Sequence, residues 1–279
     1  MHIHYKKLVN YAYGILGSQD DAKDAVQDVM ERYISMDKQH IENETSYLIK
    51  ASINQAINIK NRKKKLVGNN IWLPEPVATE YADVNITKNE TVSYSMMVLL
   101  ENLNAKERAV FILKEAFDYS HDEIAATLSL TIENSRKLLS RAKDKLRSKG
   151  SDKVQTKKSF SAPMDYMSKY ISAIKNGNIS TLENLLSEDI TVTADGGRNI
   201  NVVSQFTVGK EPAVNLLLYV YNTYQQSFSI SVRTFNNQPA LLFHQGDALI
   251  NCQIFELTND NKISRIYSIV DPEKLKKIF

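Results

Sequence analysis

Apolar residues at Tyr5, Leu8, Val9, Ala12, Ile15 and Leu16 recur at spacings of three and four, which predicts one buried stripe on a helix. Gly14 and Gly17 weaken and then end it. Ser18, followed by Gln19, Asp20 and Asp21, sets the start of a second helix over about 19–34, with negative charge against its dipole. Ala22, Ala25, Val26, Val29 and Met30 form its inner side, and Asp21, Asp24, Asp28 and Glu31 its outer side. A third helix, about 44–65, turns Tyr47, Leu48, Ala51, Ile53, Ala56 and Ile57 inward and ends in the basic run Lys60 to Lys65. Residues 67–88 keep no period and read as a linker, and a second helical block covers 89–149. A polar linker, 150–162, follows. From Pro163 the pattern changes to two helices (about 163–175 and 179–187) and six short runs of β type, interrupted by a helix at about 210–225. That order predicts an α+β domain over 163–279 with an antiparallel sheet.

The most specific local pattern lies at residues 120–147. Ser120 and Glu123 form a capping box, Ile124, Ala125 and Leu128 face inward, and Thr131 caps a longer helix. Ser135, Leu138, Leu139, Ala142 and Leu146 make the buried side of that helix. Asn134, Arg136, Lys137, Ser140, Arg141, Lys143 and Lys145 stay outside. Two helices joined by so short a turn, the second one basic, match a reader of the DNA major groove.

Charge sharpens this. The chain of 279 residues has a net charge of +3, but residues 131–158 alone carry 10 Lys and Arg against 3 Asp and Glu. Such a local stripe points to a polyanion at one place. One cysteine, Cys252, excludes internal disulfides and cysteine-cluster metal sites. No apolar run approaches the ~20 residues that span a bilayer, and the N-terminal stretch lacks the pattern of a signal peptide. A reducing, cytoplasmic setting with no membrane partner is expected.

At this point residues 1–150 resemble a sigma-70 family sigma factor of the extracytoplasmic-function type. LTIENSRKLLSRAKDKL resembles region 4, which reads the −35 promoter element. DAKDAVQDVMERY resembles the part of region 2 that docks on the clamp helices of the largest polymerase subunit, and ETSYLIKASINQAINIKNRKKK the part that recognises and opens the −10 element. The resemblance implies polymerase contacts at Asp24, Val26, Gln27, Asp28 and Glu31, with the polymerase flap as a further partner surface. It implies −10 contacts at Tyr47, Lys50, Asn54, Asn58, Arg62 and Lys63, and −35 contacts at Asn134, Arg136, Lys137, Ser140 and Arg141. The loop 36–44 is the expected pocket for unstacked bases. Two positions depart from the family pattern: Tyr33 stands where many relatives have Trp, and Ser129 where many have Gly.

Residues 160–279 resemble the SnoaL-like (NTF2-like) cone, which some sigma factors carry as a fused domain. In that subgroup the linker holds a Trp-Leu-Pro-Glu-Pro motif, here Trp72-Leu73-Pro74-Glu75-Pro76. Two further stretches match in part: Asp195-Gly196-Gly197-Arg198-Asn199, and Asp271-Pro272-Glu273-Lys274-Leu275. The expected architecture is therefore two all-α domains, a region 2 bundle (1–66) and a region 4 helix-turn-helix (89–149), followed by the α+β cone. The resemblance implies a transcription initiation factor, not an enzyme, with no cofactor and no metal, regulated by its own C-terminal domain. Trp72 and Leu73 are expected to anchor the linker near Asp195–Arg198. Two other readings stay open on the residues alone. One is a stand-alone helix-turn-helix regulator with a ligand-sensing domain, for which the acidic helix 19–34 has no use. The other is a cyclase-like enzyme with His244 and Asp247 as acid and base, and Asp195, Tyr219, Arg233 and Gln253 lining a cavity.

Overall fold

The computed structural model describes residues 2–64, 71–79, 92–148, 164–197, 200, 202 and 207–278. The chain divides into two compact units: Met1–Gly68 with Asp83–Lys158, and Asn69–Ala82 with Ser159–Phe279. The segment holding Trp72 thus belongs to the C-terminal unit, although it lies in sequence between the two helical blocks. The linker expected over 150–162 and the flanks of the 67–88 linker lie outside the described residues.

The first unit is all-helical. Helices α1 (His2–Leu16), α2 (Gln19–Ser35) and α3 (Glu44–Lys64) pack as a three-helix bundle. The Ser18 side chain accepts from Asp21 N and caps α2, and Ala12, Ala22, Ala25, Ile53 and Ala56 are fully buried. Helix α4 (Tyr94–Leu99) and a turn of 3₁₀ helix (Leu100–Asn102) lead into α5 (Ala105–Glu115), α6 (His121–Leu128) and α7 (Ile132–Arg147). Asn104 and Glu107 close a capping box at the start of α5.

The second unit is α+β. Helices α8 (Met164–Lys175) and α9 (Ile179–Leu185) precede β1 (Leu186–Asp195), β2 (Thr207–Val208) and α10 (Lys210–Val220). A π-helical turn, Tyr221–Gln225, extends α10. Strands β3 (Ser229–Phe235), β4 (Gln238–Gln245), β5 (Ala248–Leu257) and β6 (Ile263–Ile269) and a short α11 (Pro272–Leu275) complete it. The sheet order is β2-β1-β6-β5-β4-β3. The expectation of an antiparallel sheet needs one correction, because β1 and β6 run parallel. All strands from β3 to β6 meander by hairpins, so β6 returns to β1 only after the long excursion through α10, and a parallel pairing needs such a crossover. Tyr170, Leu182, Leu217, Phe243, Phe255 and Ile266 fill the core between helices and sheet.

Candidate nucleic-acid interface and linker clamp

Helix α7 is held by local chemistry. Ser120 and Glu123 cap α6 reciprocally, with Ser120 N donating to Glu123 Oε2 at 2.7 Å and Glu123 N to Ser120 Oγ at 3.1 Å. Ser129 ends α6 in the left-handed conformation, φ 53° and ψ 53°. The chain then turns, Leu130 N donates to Ala125 O, and Thr131 Oγ1 accepts from Asn134 N to start α7. His121 Nδ1 lies 2.9 Å from the buried Ser135 Oγ and pins α6 to α7. On α7 Ser135, Leu139, Ala142 and Leu146 are buried and Leu138 half-buried. Asn134, Arg136, Lys137, Ser140 and Arg141 all lie exposed on its other side. Part of the basic stripe is occupied: Lys145 pairs with Glu107 at 2.7 Å and Lys143 with Glu115 at 2.8 Å, so both brace α7 against α5. Ile132, 40% exposed at the start of α7, is an apolar surface position that the pattern did not single out.

On α2 the stripe Asp24, Gln27, Asp28 and Glu31 is exposed. Val26 is not part of it: the side chain is fully buried in the bundle, as is nearly all of Val29, and neither offers a docking surface. Val26 shares the buried side of α2 with Ala22, Ala25, Val29 and Tyr33, and one side chain cannot face both the core and a partner. The apolar element of this surface is instead Ile34, 71% exposed. Asp28 accepts from Gln55 Nε2 at 3.0 Å, and Asp21 pairs with Lys63 at 2.5 Å, so the acidic face of α2 borders the polar face of α3. Along α3, Tyr47, Lys50, Asn54, Asn58 and Arg62 follow one another at three and four. Lys50, Asn58, Arg62 and Lys63 are exposed, and Tyr47 and Asn54 half-buried. The Tyr47 ring packs 5.8 Å from that of Tyr33, over which Lys38 sits at 4.5 Å, so the 36–43 loop folds onto an aromatic pair. The basic run is not uniform: Lys60 turns inward to Glu101 at 2.6 Å, and its ammonium, buried beside Arg108, is pulled down to about 8.

A joint binds the three-helix bundle to the helix-turn-helix part, and sequence reading missed its centre. Arg108 is fully buried. It donates to Gly14 O at 2.7 Å, to Glu101 Oε1, and to Met97 Sδ at 3.9 Å. A Cβ on Gly14 would stand 3.2 Å from Ile112, so glycine here lets α1 approach α5 closely. Tyr11 and Tyr119 share a hydrogen bond at 3.0 Å, and the Tyr11 ring lies 4.1 Å from Phe117. An arginine inside an apolar helical run, four residues before Ile112, was the available signal.

In the C-terminal unit residues 71–79 run extended along the domain. Asp195, at the end of β1, is 2% exposed; its Oδ2 accepts from Leu73 N at 2.8 Å and from Lys274 Nζ at 2.5 Å. Lys274 also donates to Leu73 O at 2.6 Å and lies 4.5 Å over the Trp72 ring. Both backbone groups of Leu73 are thus taken by one buried ion pair. Leu73 is only 1% exposed, whereas Trp72 is half-buried and forms the lid over Lys274. Glu75 pairs with Lys277 at 3.1 Å, and Pro74 and Pro76 are buried. Further on, Val77 and Asn236 exchange two hydrogen bonds, and Ala78 bridges Phe235 in β3. Gly197 has φ +63°, donates to Asp195 Oδ1, and has the Asp271 carboxylate where a Cβ would stand. Asp271 caps α11, with Pro272 at its first position. Lys274 sat in a stretch already singled out, but its burial was not foreseen. Arg198 lies outside the described residues.

The acid–base pair considered for a cavity is not assembled. His244 and Asp247 belong to the β4–β5 hairpin, which turns at Gly246 with φ +59°. Neither lines the cavity of this domain, and Asp195 and Arg233 do not either; of the expected lining, Tyr219 and Gln253 are present.

Comparison with known proteins agrees with this anatomy. The family model "Sigma-70 region 2" matches residues 1–66, and "Sigma-70, region 4" matches residues 94–146. The chain is 24% identical over 224 residues to the ECF RNA polymerase sigma factor SigJ of Mycobacterium tuberculosis, spanning 78% of this chain and 70% of that protein. It is 22% identical over 278 residues to a probable ECF sigma factor SigI of the same organism, covering 98% and 92%. The crystal structure of SigJ superposes with a TM-score of 0.77 at 21% identity over 99% of this chain and 97% of that one.

Proposed function

Since the chain belongs to the sigma-70 family, extracytoplasmic-function type with a fused C-terminal SnoaL-like domain, and is thereby a transcription initiation factor, we propose how its surfaces divide that work. Asp24, Gln27, Asp28, Glu31 and the exposed Ile34 of α2 dock on the clamp helices of the largest polymerase subunit, while the helix-turn-helix part meets the flap. On α3, Tyr47, Lys50, Asn54, Asn58, Arg62 and Lys63 capture the −10 element: amides pair with base edges, Tyr47 stacks on an unstacked base, and the cations follow the backbone. On α7, Asn134, Arg136, Lys137, Ser140 and Arg141 read the −35 element in the major groove, and Ile132 suits a thymine methyl. The work is done in the cytoplasm, where polymerase and promoter are.

The observation that carries the regulatory part is the Arg108 joint. Elements named −35 and −10 lie about 25 base pairs apart, roughly 85 Å along B-form DNA. A compact unit of about 140 residues is only roughly 40 Å across. The two readers, packed together through Arg108, Glu101 and Lys60, do not reach both elements at once. The described form is the resting one, and initiation parts the bundle from the helix-turn-helix. The chain between them runs through residues 71–79, held by Asp195 and Lys274, so the C-terminal domain serves as the spacer and restrains that parting. This is the meaning of the interdomain set Trp72–Pro76, Asp195–Arg198, Asp271 and Pro272.

Run-off transcription with bacterial core polymerase on a panel of candidate promoters tests the reading. The full chain is expected to bind core and to initiate at discrete sites, Arg108→Met to initiate more efficiently, and Arg141→Ala to lose initiation while keeping core binding. A full chain that does not bind core polymerase refutes the docking assignment. Unchanged initiation by Arg108→Met refutes the resting-state assignment.

A further inference from the structure

The C-terminal domain holds a partly open cavity of about 660 Å³, within the range of small-molecule sites. Its walls are largely apolar: Val192, Ala194, Leu216, Phe228 and Ile250 contribute. At its polar end stand Asn251, Gln253 and Ser268, all buried. Ser268 Oγ donates to Asn251 Oδ1 at 2.9 Å and so satisfies that pair. Gln253 is only 4% exposed, and its Oε1 has no hydrogen-bond partner among the described residues. A buried carbonyl left unpaired costs about 1–3 kcal/mol, so it marks where a donor belongs.

The lining also says what kind of molecule fits. Among the described residues it includes no Asp, Glu, Lys, Arg or His. A charged ligand would lose its water with no counter-charge to meet, at a cost of several kcal/mol. The π-helical turn Tyr221–Gln225 carries Thr223 and Tyr224 to the cavity and buries Gln225 beside it. Such turns cluster at functional sites. Tyr219 and Tyr224, each 60% exposed, meet edge to face with centroids 6.3 Å apart at the mouth. Two exposed rings at an apolar opening are placed to cover a bound molecule.

We propose that this cavity binds a neutral, largely apolar small molecule whose hydroxyl or N–H group donates to Gln253 Oε1. Ala194 and Val270 line it and directly precede Asp195 and Asp271, so the ligand site shares β1 and the end of β6 with the linker clamp.

The test titrates the full-length protein with phenylnaphthylamine, a neutral apolar fluorophore with one N–H donor, and follows its emission. The expected result is saturable enhancement. Gln253→Leu weakens binding about threefold to tenfold, the worth of one neutral hydrogen bond. Ala194→Phe, which fills the cavity, abolishes it, and Thr223→Trp at the exposed mouth does so where the first variant does not fold. The anionic anilinonaphthalene sulfonate binds at least about tenfold more weakly. No saturable enhancement, or enhancement equal in the folded cavity-filling variants, overturns the site. Equal binding by Gln253→Leu overturns the role of Gln253, and equal binding of the anion overturns the neutral class.

Discussion

Each unit holds a buried ion cluster that ties two parts of the chain together, and the two are built differently. In the helical unit Arg108 is sealed, but its partner Glu101 keeps a quarter of its side chain in solvent, and Arg108 reaches the three-helix bundle through the Gly14 carbonyl of α1. In the C-terminal unit Asp195 and Lys274 are both almost fully buried, and together they take the N–H and the C=O of Leu73. Water can enter the first cluster at Glu101 as it opens, and hydrate the charges as they separate. The second has no such path, and opening it strands a bare charge. A joint that must part in each cycle and a strap that must hold are thus distinguished by how dry they are.

The sharpest way to break that contrast is at the dry end. Asp195→Asn keeps shape and one acceptor but leaves Lys274 buried without a counter-charge. The expected loss is about 3–5 kcal/mol of stability in the C-terminal unit, read by denaturant unfolding of the full chain. The single tryptophan makes this visible, because Trp72 sits against Lys274 and its emission should shift to the red as the strap detaches. An unchanged spectrum and midpoint would mean that Asp195 does not hold the linker.

Arg108→Met ranks next. It removes the bond to Gly14 O and one of two cations beside Glu101, while Lys60 still pairs with it. A loss of about 2–3 kcal/mol in the helical unit is expected, below the Asp195 effect because Glu101 can turn to solvent. If the two substitutions cost the same, the wet and dry clusters do not differ in the way argued.

Acid sharpens the same comparison. Burial pushes the Glu101 carboxyl up, but Arg108 and Lys60 more than offset this and hold it below the usual glutamate range. A depressed carboxylate contributes stability that is fully present above its unfolded value and is lost as pH falls through its folded one. The stability gap between the natural chain and Glu101→Gln should therefore be constant from neutral pH down to about pH 5 and narrow below the unfolded glutamate value, about 4.3. A gap independent of pH would show that Glu101 is not held charged by this joint.

What the sequence disclosed follows the range of the interactions. The caps at Ser18, Ser120 and Thr131 were legible because a cap joins residues three apart. So were the stripes of α2, α3 and α7, and the switch to β runs after Pro163. Arg108 and Lys274 were not read as buried, because a charged side chain looks like surface until its partners arrive, and Asp195 is 79 residues from Lys274. The parallel β1–β6 pair escaped for the same reason: strand direction is set by the path of the whole domain. Val26 shows a conflict within one helix, since its position on the wheel placed it inside while the family motif counted it among docking residues. The cavity was foreshadowed only by Tyr219 and Gln253.

The smallest effect lies in the turn of the helix-turn-helix. Ser129 adopts φ 53° and ψ 53°, where a Cβ crowds the neighbouring carbonyl. Its side chain is exposed, so nothing is packed that glycine would lose. Ser129→Gly relieves roughly 1 kcal/mol of strain in the folded state, while the extra freedom glycine has in the unfolded chain offsets part of it. The net expectation is stabilisation by about 0.5 kcal/mol, seen as a small rise in the denaturation midpoint of the helical unit with core binding unchanged. The sign is the informative part. Destabilisation would mean that the serine contributes more by restricting the unfolded chain than it costs in the turn. The departure from glycine at this position would then favour the folded state rather than strain it.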